Sequence, residues 1–185
     1  MGVIIGFLVV VVVIVLWAIG IFNRLVGLRV RCDNAWSDVD VQLKRRYDLI
    51  PNLVETVKGY AAHEKSTFEE VTKWRNAAMN ASAPADKAQA ENMLTGALKS
   101  LFAVAEAYPQ LRAAENFQQL QKELDAIEDA IQNSRRYYNA VVRDYNTLTQ
   151  MFPSSMIANF GNFKQRDFFE LTSAAEREAP KVQFT

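Results

Sequence analysis

The sequence predicts an all-α protein: an N-terminal transmembrane helix, an antiparallel up-and-down bundle of long helices, then a short C-terminal helix and an extended tail. Three observations carry this prediction. Val3 to Phe22 holds no charged residue and scarcely a polar one. From Leu25 onward, apolar residues recur at helical spacing with few loop signals between them. Between Phe117 and Phe152 the apolar positions alternate steps of three and four over five heptads. The chain accordingly divides into an anchor at 1–23, a long-helix bundle at 24–152 and a C-terminal short helix and tail at 153–185.

The anchor comes first. Twenty residues at about 1.5 Å each span about 30 Å, the thickness of a bilayer's hydrocarbon core. Val3, Phe7, Val11, Val15 and Phe22 sample its length. Its valines and isoleucines favour strands in water, but in lipid an isolated segment satisfies its backbone only as a helix. A cleaved signal peptide is the alternative, with Ala18-Ile19-Gly20 as the cleavage site. Against it, no lysine or arginine precedes the run, and the run exceeds the usual signal core of about 7 to 15 residues. Gly2 and Gly6 are four apart and offer a face on which two anchors could approach closely. Arg24, Arg29 and Arg31 follow the span, which favours an outside N-terminus and a cytoplasmic domain, with a periplasmic domain as the alternative.

Beyond the anchor, Leu25, Leu28, Cys32, Trp36, Val39 and Leu43 continue the helical period, so the membrane helix is expected to run on into the first bundle helix. Gly27 is a single weak point in it. Pro51 falls inside the next periodic stretch, Leu43, Tyr47, Ile50, Val54, Val57, Ala61, Phe68, Val71, and predicts a kink or break near Leu49-Ile50. The helix is expected to end near Met79. Asp86 is the expected cap of a second helix with the stripe Leu94, Leu98, Leu101, Ala105, Tyr108, ending at Pro109. The third helix carries Phe117, Leu120, Leu124, Ile127, Ile131, Ser134, Tyr138, Val141, Tyr145, Leu148 and Phe152. A stripe of that length, about 60 Å, needs equally long neighbours, and the short loops make them antiparallel. Phe163, Phe168 and Phe169 suggest a short helix capping the bundle, and Ala179 to Thr185 an extended tail whose Phe184 either docks in a partner or frays.

Chemistry is sparse. With 21 basic and 21 acidic residues, no net field draws the chain to nucleic acid. One cysteine, Cys32, and one histidine, His63, exclude an intrachain disulfide and a zinc site of the usual Cys/His kind. Cys32 reads as a small apolar core residue rather than a partner for another subunit's thiol. His63-Glu64 lacks the second histidine of a helical zinc protease motif and reads as helix surface. There is no nucleophile elbow and no glycine-rich phosphate loop, so no catalytic residue, cofactor, metal or small-molecule substrate is expected. Glu123, Asp125, Glu128 and Asp129 read as a solvated face. Lys44, Arg45 and Arg46 form a basic group that is either solvated surface or a contact for lipid headgroups or a neighbour. Arg135 and Arg136 precede Tyr138-Asn139, and Tyr-Asn recurs seven residues later as Tyr145-Asn146. The tyrosines fall on the apolar seam. Asn139 and Asn146 fall beside it, where they can bond to another helix or subunit.

Four blocks then carry a resemblance to a known family. They are Ala35-Trp36-Ser37-Asp38-Val39-Asp40-Val41-Gln42-Leu43-Lys44-Arg45-Arg46, Asp48-Leu49-Ile50-Pro51-Asn52-Leu53-Val54, Ala103-Val104-Ala105-Glu106-Ala107-Tyr108-Pro109, and Arg135-Arg136-Tyr137-Tyr138-Asn139 through Asp144-Tyr145-Asn146 to Phe152-Pro153-Ser154. In this order they resemble the LemA proteins, bacterial membrane proteins with one N-terminal span and a helical bundle. The departures are Ser155-Met156-Ile157-Ala158, where the family usually carries asparagine and leucine after the serine, and Asn162, which interrupts a Phe-Gly-Phe-like stretch. The resemblance implies a scaffolding role at the bacterial inner membrane. One relative belongs to the machinery that forms magnetosome membranes, and some are found beside a membrane zinc protease. No catalytic residue carries over. The expectation is therefore a non-enzymatic, single-pass membrane protein, partnered by the lipid bilayer and by copies of itself, that organises or shapes membrane or envelope proteins. The alternative is an adaptor recruiting another membrane protein, such as a protease.

Overall fold

The computed structural model describes residues 1–170. Among these, every regular element is a helix: α1 (Gly2–Lys58), α2 (Lys65–Asn80), α3 (Pro84–Ala107), α4 (Pro109–Arg112), α5 (Glu115–Gln150) and α6 (Ser154–Phe160). The all-α class is as expected, and contacts along the chain gather into two units.

Helix α1 runs without interruption from the apolar segment into the soluble part and passes through Gly27. None of its most apolar 18-residue stretch is buried by the other described residues. A core helix of a soluble domain would be buried. An uncovered apolar helix of this length fits a single-pass membrane anchor.

Of the kink or break expected at Pro51, the break is absent: α1 continues through it. Proline has no N–H, so the carbonyl four residues earlier, on Tyr47, loses its helical donor. Arg75 of α2 replaces it, its Nε donating to the Tyr47 oxygen at 2.7 Å. The break comes instead after Lys58, so the helix expected to reach Met79 is two helices. Gly59 and Tyr60 close the end through bonds to the Glu55 and Val57 carbonyls. Between Ala61 and Phe68 the apolar stripe skips a turn, occupied by Glu64 and Lys65, so a continued helix would bury nothing there. His63 accordingly sits exposed in the α1–α2 loop and not on a helix surface.

Asp86 does not cap α3. Pro84 occupies the first helical position, Ala83 is the cap, and Asp86 lies in the first turn, where its charge favours the positive helix end.

One unit is built on Asp40–Asn133, joined by residues 168–170. In it the C-terminal part of α1, α2, α3 and the first half of α5 form a bundle. Tyr47 and Arg75 lie about equally far from the loop that joins their helices, which makes α1 and α2 a hairpin. Lys87 meets Asp40 and Glu91 meets Arg46, so α3 runs parallel to α1. Leu43, Ile50, Leu53, Val57, Val71, Leu94, Leu101 and Ile131 supply a core with essentially no exposure. Each such aliphatic side chain contributes roughly 1.5–3 kcal/mol on burial.

The other unit is Met1–Val39 with Ser134–Asp167. Leu25, Cys32, Ala35 and Val39 of α1 pack against Tyr138, Val142 and Tyr145 of α5, all buried. Trp36 meets Tyr138 ring to ring at 5.2 Å. The α5 seam is buried or half-buried along its length, as expected, until Phe152, which is 80 % exposed. The short C-terminal helix lies earlier than expected, at α6, and Phe163, Phe168 and Phe169 follow it in irregular chain. Gly161 and Asn162, the latter at φ 53°, end the helix. Phe163 is nevertheless buried in this unit, and Phe169 is buried as part of the other. The tail Ala179 to Thr185, with Phe184, lies outside the described residues.

Candidate functional site

Three arrangements of side chains merit attention. The first clamps irregular chain onto the anchor-bearing unit. A segment without secondary structure must have its backbone groups satisfied by something else, and here α5 does it. Tyr138 Oη donates to the Asp167 carbonyl at 2.9 Å and Tyr145 Oη to the Lys164 carbonyl at 3.0 Å. Asn146 makes a two-way bond with Arg166: its Nδ2 donates to the carbonyl at 2.8 Å and its Oδ1 accepts from the N–H at 2.9 Å. Arg166 then reaches Asp33 of α1 at 2.7 Å. At the lower end, Phe163 takes the Phe22 ring edge-on at 5.3 Å, with the Arg29 guanidinium 5.3 Å from its centroid. Burial pushes the Tyr138 phenol up to about 12, so it remains a donor across the physiological range. The heptad-spaced tyrosines and Asn146 thus bond to this segment and not to another helix. Asn139 is half-buried and has a partner within the chain.

The second arrangement is a buried charge cluster in the bundle unit. Arg46, expected as part of a surface basic group, is 1 % exposed. It sits on the stripe between Leu43 and Ile50, and Lys44 and Arg45 point outward. Its Nη1 donates to Glu91 Oε2 at 2.6 Å and its Nη2 to Thr95 Oγ1 at 3.0 Å, both on α3. Its Nε lies 2.9 Å from Glu128 Oε1 on α5 as an ion pair without hydrogen-bond geometry. Glu128, whose side chain is 39 % exposed, therefore lies at the edge of the face formed by Glu123, Asp125 and Asp129 and turns its carboxylate towards Arg46. Tyr47 Oη donates to the other oxygen of Glu91, and Lys87 Nζ donates to Asp40 at 2.7 Å. Burial holds the Glu91 and Glu128 carboxyls above their ordinary range, opposed by the Arg46 charge. Sequence reasoning missed this cluster, although Glu91 continues the Leu94, Leu98, Leu101 stripe one turn upstream. A charged residue on a core stripe needs a partner on another core stripe.

The third is an open groove of about 730 Å³ in the anchor-bearing unit, just beyond the apolar segment. Asn23, Arg24, Gly27, Leu28 and Arg31 of α1 form one wall, and Arg143, Asp144, Thr147, Leu148 and Met151 the other.

The remaining candidates are dispersed. Val3, Phe7, Val11, Val15 and Phe22 are exposed, and a Cβ added at Gly2 or Gly6 would meet nothing within 4 Å. Arg135 is half-buried and Arg136 exposed, each with a partner in the chain. Among the described residues no three His, Cys, Asp or Glu are placed to hold a metal ion. Burial raises the Cys32 thiol, which works against a reactive thiolate.

Residues 35–184 match the LemA family. The chain belongs to the LemA family. Among curated relatives it is 26 % identical to Magnetosome protein MamQ 2 of Paramagnetospirillum magneticum, over 76 % of this chain and 61 % of that protein. It is 25 % identical to Magnetosome protein MamQ of Magnetospirillum gryphiswaldense with the same coverage. It is 26 % identical to Protein LemA of Metamycoplasma hominis, over 76 % of this chain and 64 % of that protein. The chain thus spans less than two thirds of the length of these relatives. Family membership and the uncovered apolar helix together make this a membrane-associated bacterial LemA protein.

Proposed function

We propose that this LemA-family chain is a non-enzymatic scaffold of the bacterial inner membrane, which self-associates through its anchors and helices and thereby organises membrane or envelope proteins. The observation that supports this reading is the single helix α1, which enters the helical core directly from an apolar segment that none of the other described residues covers. Such a segment is available to lipid and to identical neighbours, with Gly2 and Gly6 open for close approach. The buried polar groups described above serve helix register and chain clamping. The relatives named as magnetosome proteins are in keeping with an organising role. Arg24, Arg29 and Arg31 favour a cytoplasmic domain.

Light scattering of the detergent-solubilised chain tests the assembly. A protein mass that is a multiple of the 20.9 kDa protomer and persists on dilution is expected. A strictly monomeric mass at every concentration contradicts it and leaves the adaptor role, in which one partner is recruited.

A further inference from the structure

We propose that the corner between α5 and α6 is a second bilayer contact, in which Phe152, Met156 and Phe160 enter the lipid–water boundary and Arg24, Arg31 and Arg143 receive anionic phospholipid headgroups. The inference rests on α1 being a membrane anchor and not on self-association.

The first support is exposure. Phe160 is 93 % exposed, Phe152 80 % and Met156 63 %. Met156 and Phe160 are four apart on α6 and so share one face, and Phe152 immediately precedes that helix. Among the described residues nothing covers them. Phe152 is also the one position of the α5 seam that the fold leaves out. Large apolar residues clustered in this way mark an interaction surface.

The second support is depth. Phe22 is the last residue of the apolar run, and its ring packs edge-on against Phe163. A Cβ added at Gly161 would meet the Phe22 ring at 3.1 Å. The end of α6 is therefore level with the end of the membrane span. A side chain exposed there meets the interfacial layer, where aromatic residues are favoured.

The third support is charge. The groove beside the corner presents three guanidinium groups and one carboxylate, Asp144. Arg24, Arg31 and Arg143 are exposed and form no ion pair among the described residues. Arg24 stands two residues past Phe22 and Arg31 nine, about 3 and 13 Å along the helix. Long arginine stems bring these charges within a Debye length, about 8–10 Å, of headgroup phosphates. Leu28, Leu148 and Met151 give the same groove an apolar floor. Basic groups set over apolar side chains match an anionic bilayer surface.

Site-directed spin labelling of the full chain in phosphatidylcholine–phosphatidylglycerol vesicles tests this. Labels are placed singly at Val15→Cys, Phe152→Cys, Phe160→Cys and, as an aqueous reference, Lys122→Cys, in a Cys32→Ala background. Labels at 152 and 160 are expected to collide more with oxygen than with a water-soluble nickel complex, as the Val15 label does and the Lys122 label does not. Replacing all three arginines with glutamine is expected to shift both labels towards the Lys122 ratio in these vesicles, and to shift them less in pure phosphatidylcholine. Since every labelled position is exposed, an unchanged melting profile verifies the fold. An aqueous ratio at 152 and 160 with a lipid ratio at Val15 overturns the proposal while leaving the anchor intact. An aqueous ratio at all three overturns both. Shielding of 152 and 160 from both collision partners means that protein covers the corner, which also overturns it.

Discussion

Arg46→Met is expected to lower the stability of the bundle unit by about 3–5 kcal/mol, the range for removing one partner of a buried ion pair. At roughly 2–4 °C per kcal/mol for a chain of this size, the melting temperature should fall by about 6–20 °C. The cause is Glu91, which has no exposure and would keep Tyr47 as its donor while losing its adjacent cation. The sign of the pH dependence follows. Burial already holds the Glu91 carboxyl above its ordinary value of 4.5, and Arg46 pulls it back. Without Arg46 it rises further. A carboxyl raised in the folded state contributes stability below its unfolded value and loses it as pH climbs through the folded one. The defect should therefore be larger at pH 7.5 than at pH 5, as read by circular dichroism melts of the solubilised chain. The double variant Arg46→Met/Glu91→Gln removes both buried charges and keeps an acceptor for Tyr47, so it should recover more than half of the loss. Equal melting of Arg46→Met and the parent chain at pH 7.5 would contradict the role assigned to the cluster.

Asn146→Ala is expected to release the clamped segment at a cost of about 2–3 kcal/mol. Two hydrogen bonds at about 1 kcal/mol each are lost, and the Arg166 N–H and carbonyl lose the partner that Asn146 gives them. Tyr145→Phe removes a single bond to Lys164 and should cost about 1 kcal/mol. Hydrogen exchange separates a local effect from a global one. Amides from Phe163 to Asp167 should exchange faster in Asn146→Ala, while those around Leu94 to Leu101, in the other unit, keep their protection. Unchanged exchange at Arg166 would mean that the segment is held by something other than α5.

These effects separate what was legible in the sequence from what was not. The anchor and the seams of α3 and α5 could be read directly, because apolar period is set by burial on one helix face and needs no knowledge of the partner. The seam of α5 was right except at Phe152, where the heptad continues in sequence but α5 has already ended. Pro51 does not break the helix because the donor that replaces its missing N–H, Arg75, comes from another helix. The end of α1 at Lys58 is signalled by Gly59 and by the lapse of the stripe between Ala61 and Phe68. Arg46 was read with its neighbours Lys44 and Arg45 as one basic group, when helical geometry turns consecutive residues about 100° apart and only Arg46 faces inward. The Tyr-Asn repeat was recognised, but its ligand was not. Asn146 pairs with backbone some twenty residues downstream, and a backbone acceptor has no sequence signature. Glu91 could have been found by asking which carboxylate shares a core stripe with Leu94.

Everything proposed for this LemA protein depends on the apolar start of α1 remaining in the bilayer. The most direct test is to wash membranes from cells making the full chain with alkaline carbonate and measure the intact mass of the protein in pellet and supernatant. The account predicts a chain that stays in the pellet with Val3 to Phe22 still attached. A shortened chain lacking those residues and recovered in the supernatant would contradict it.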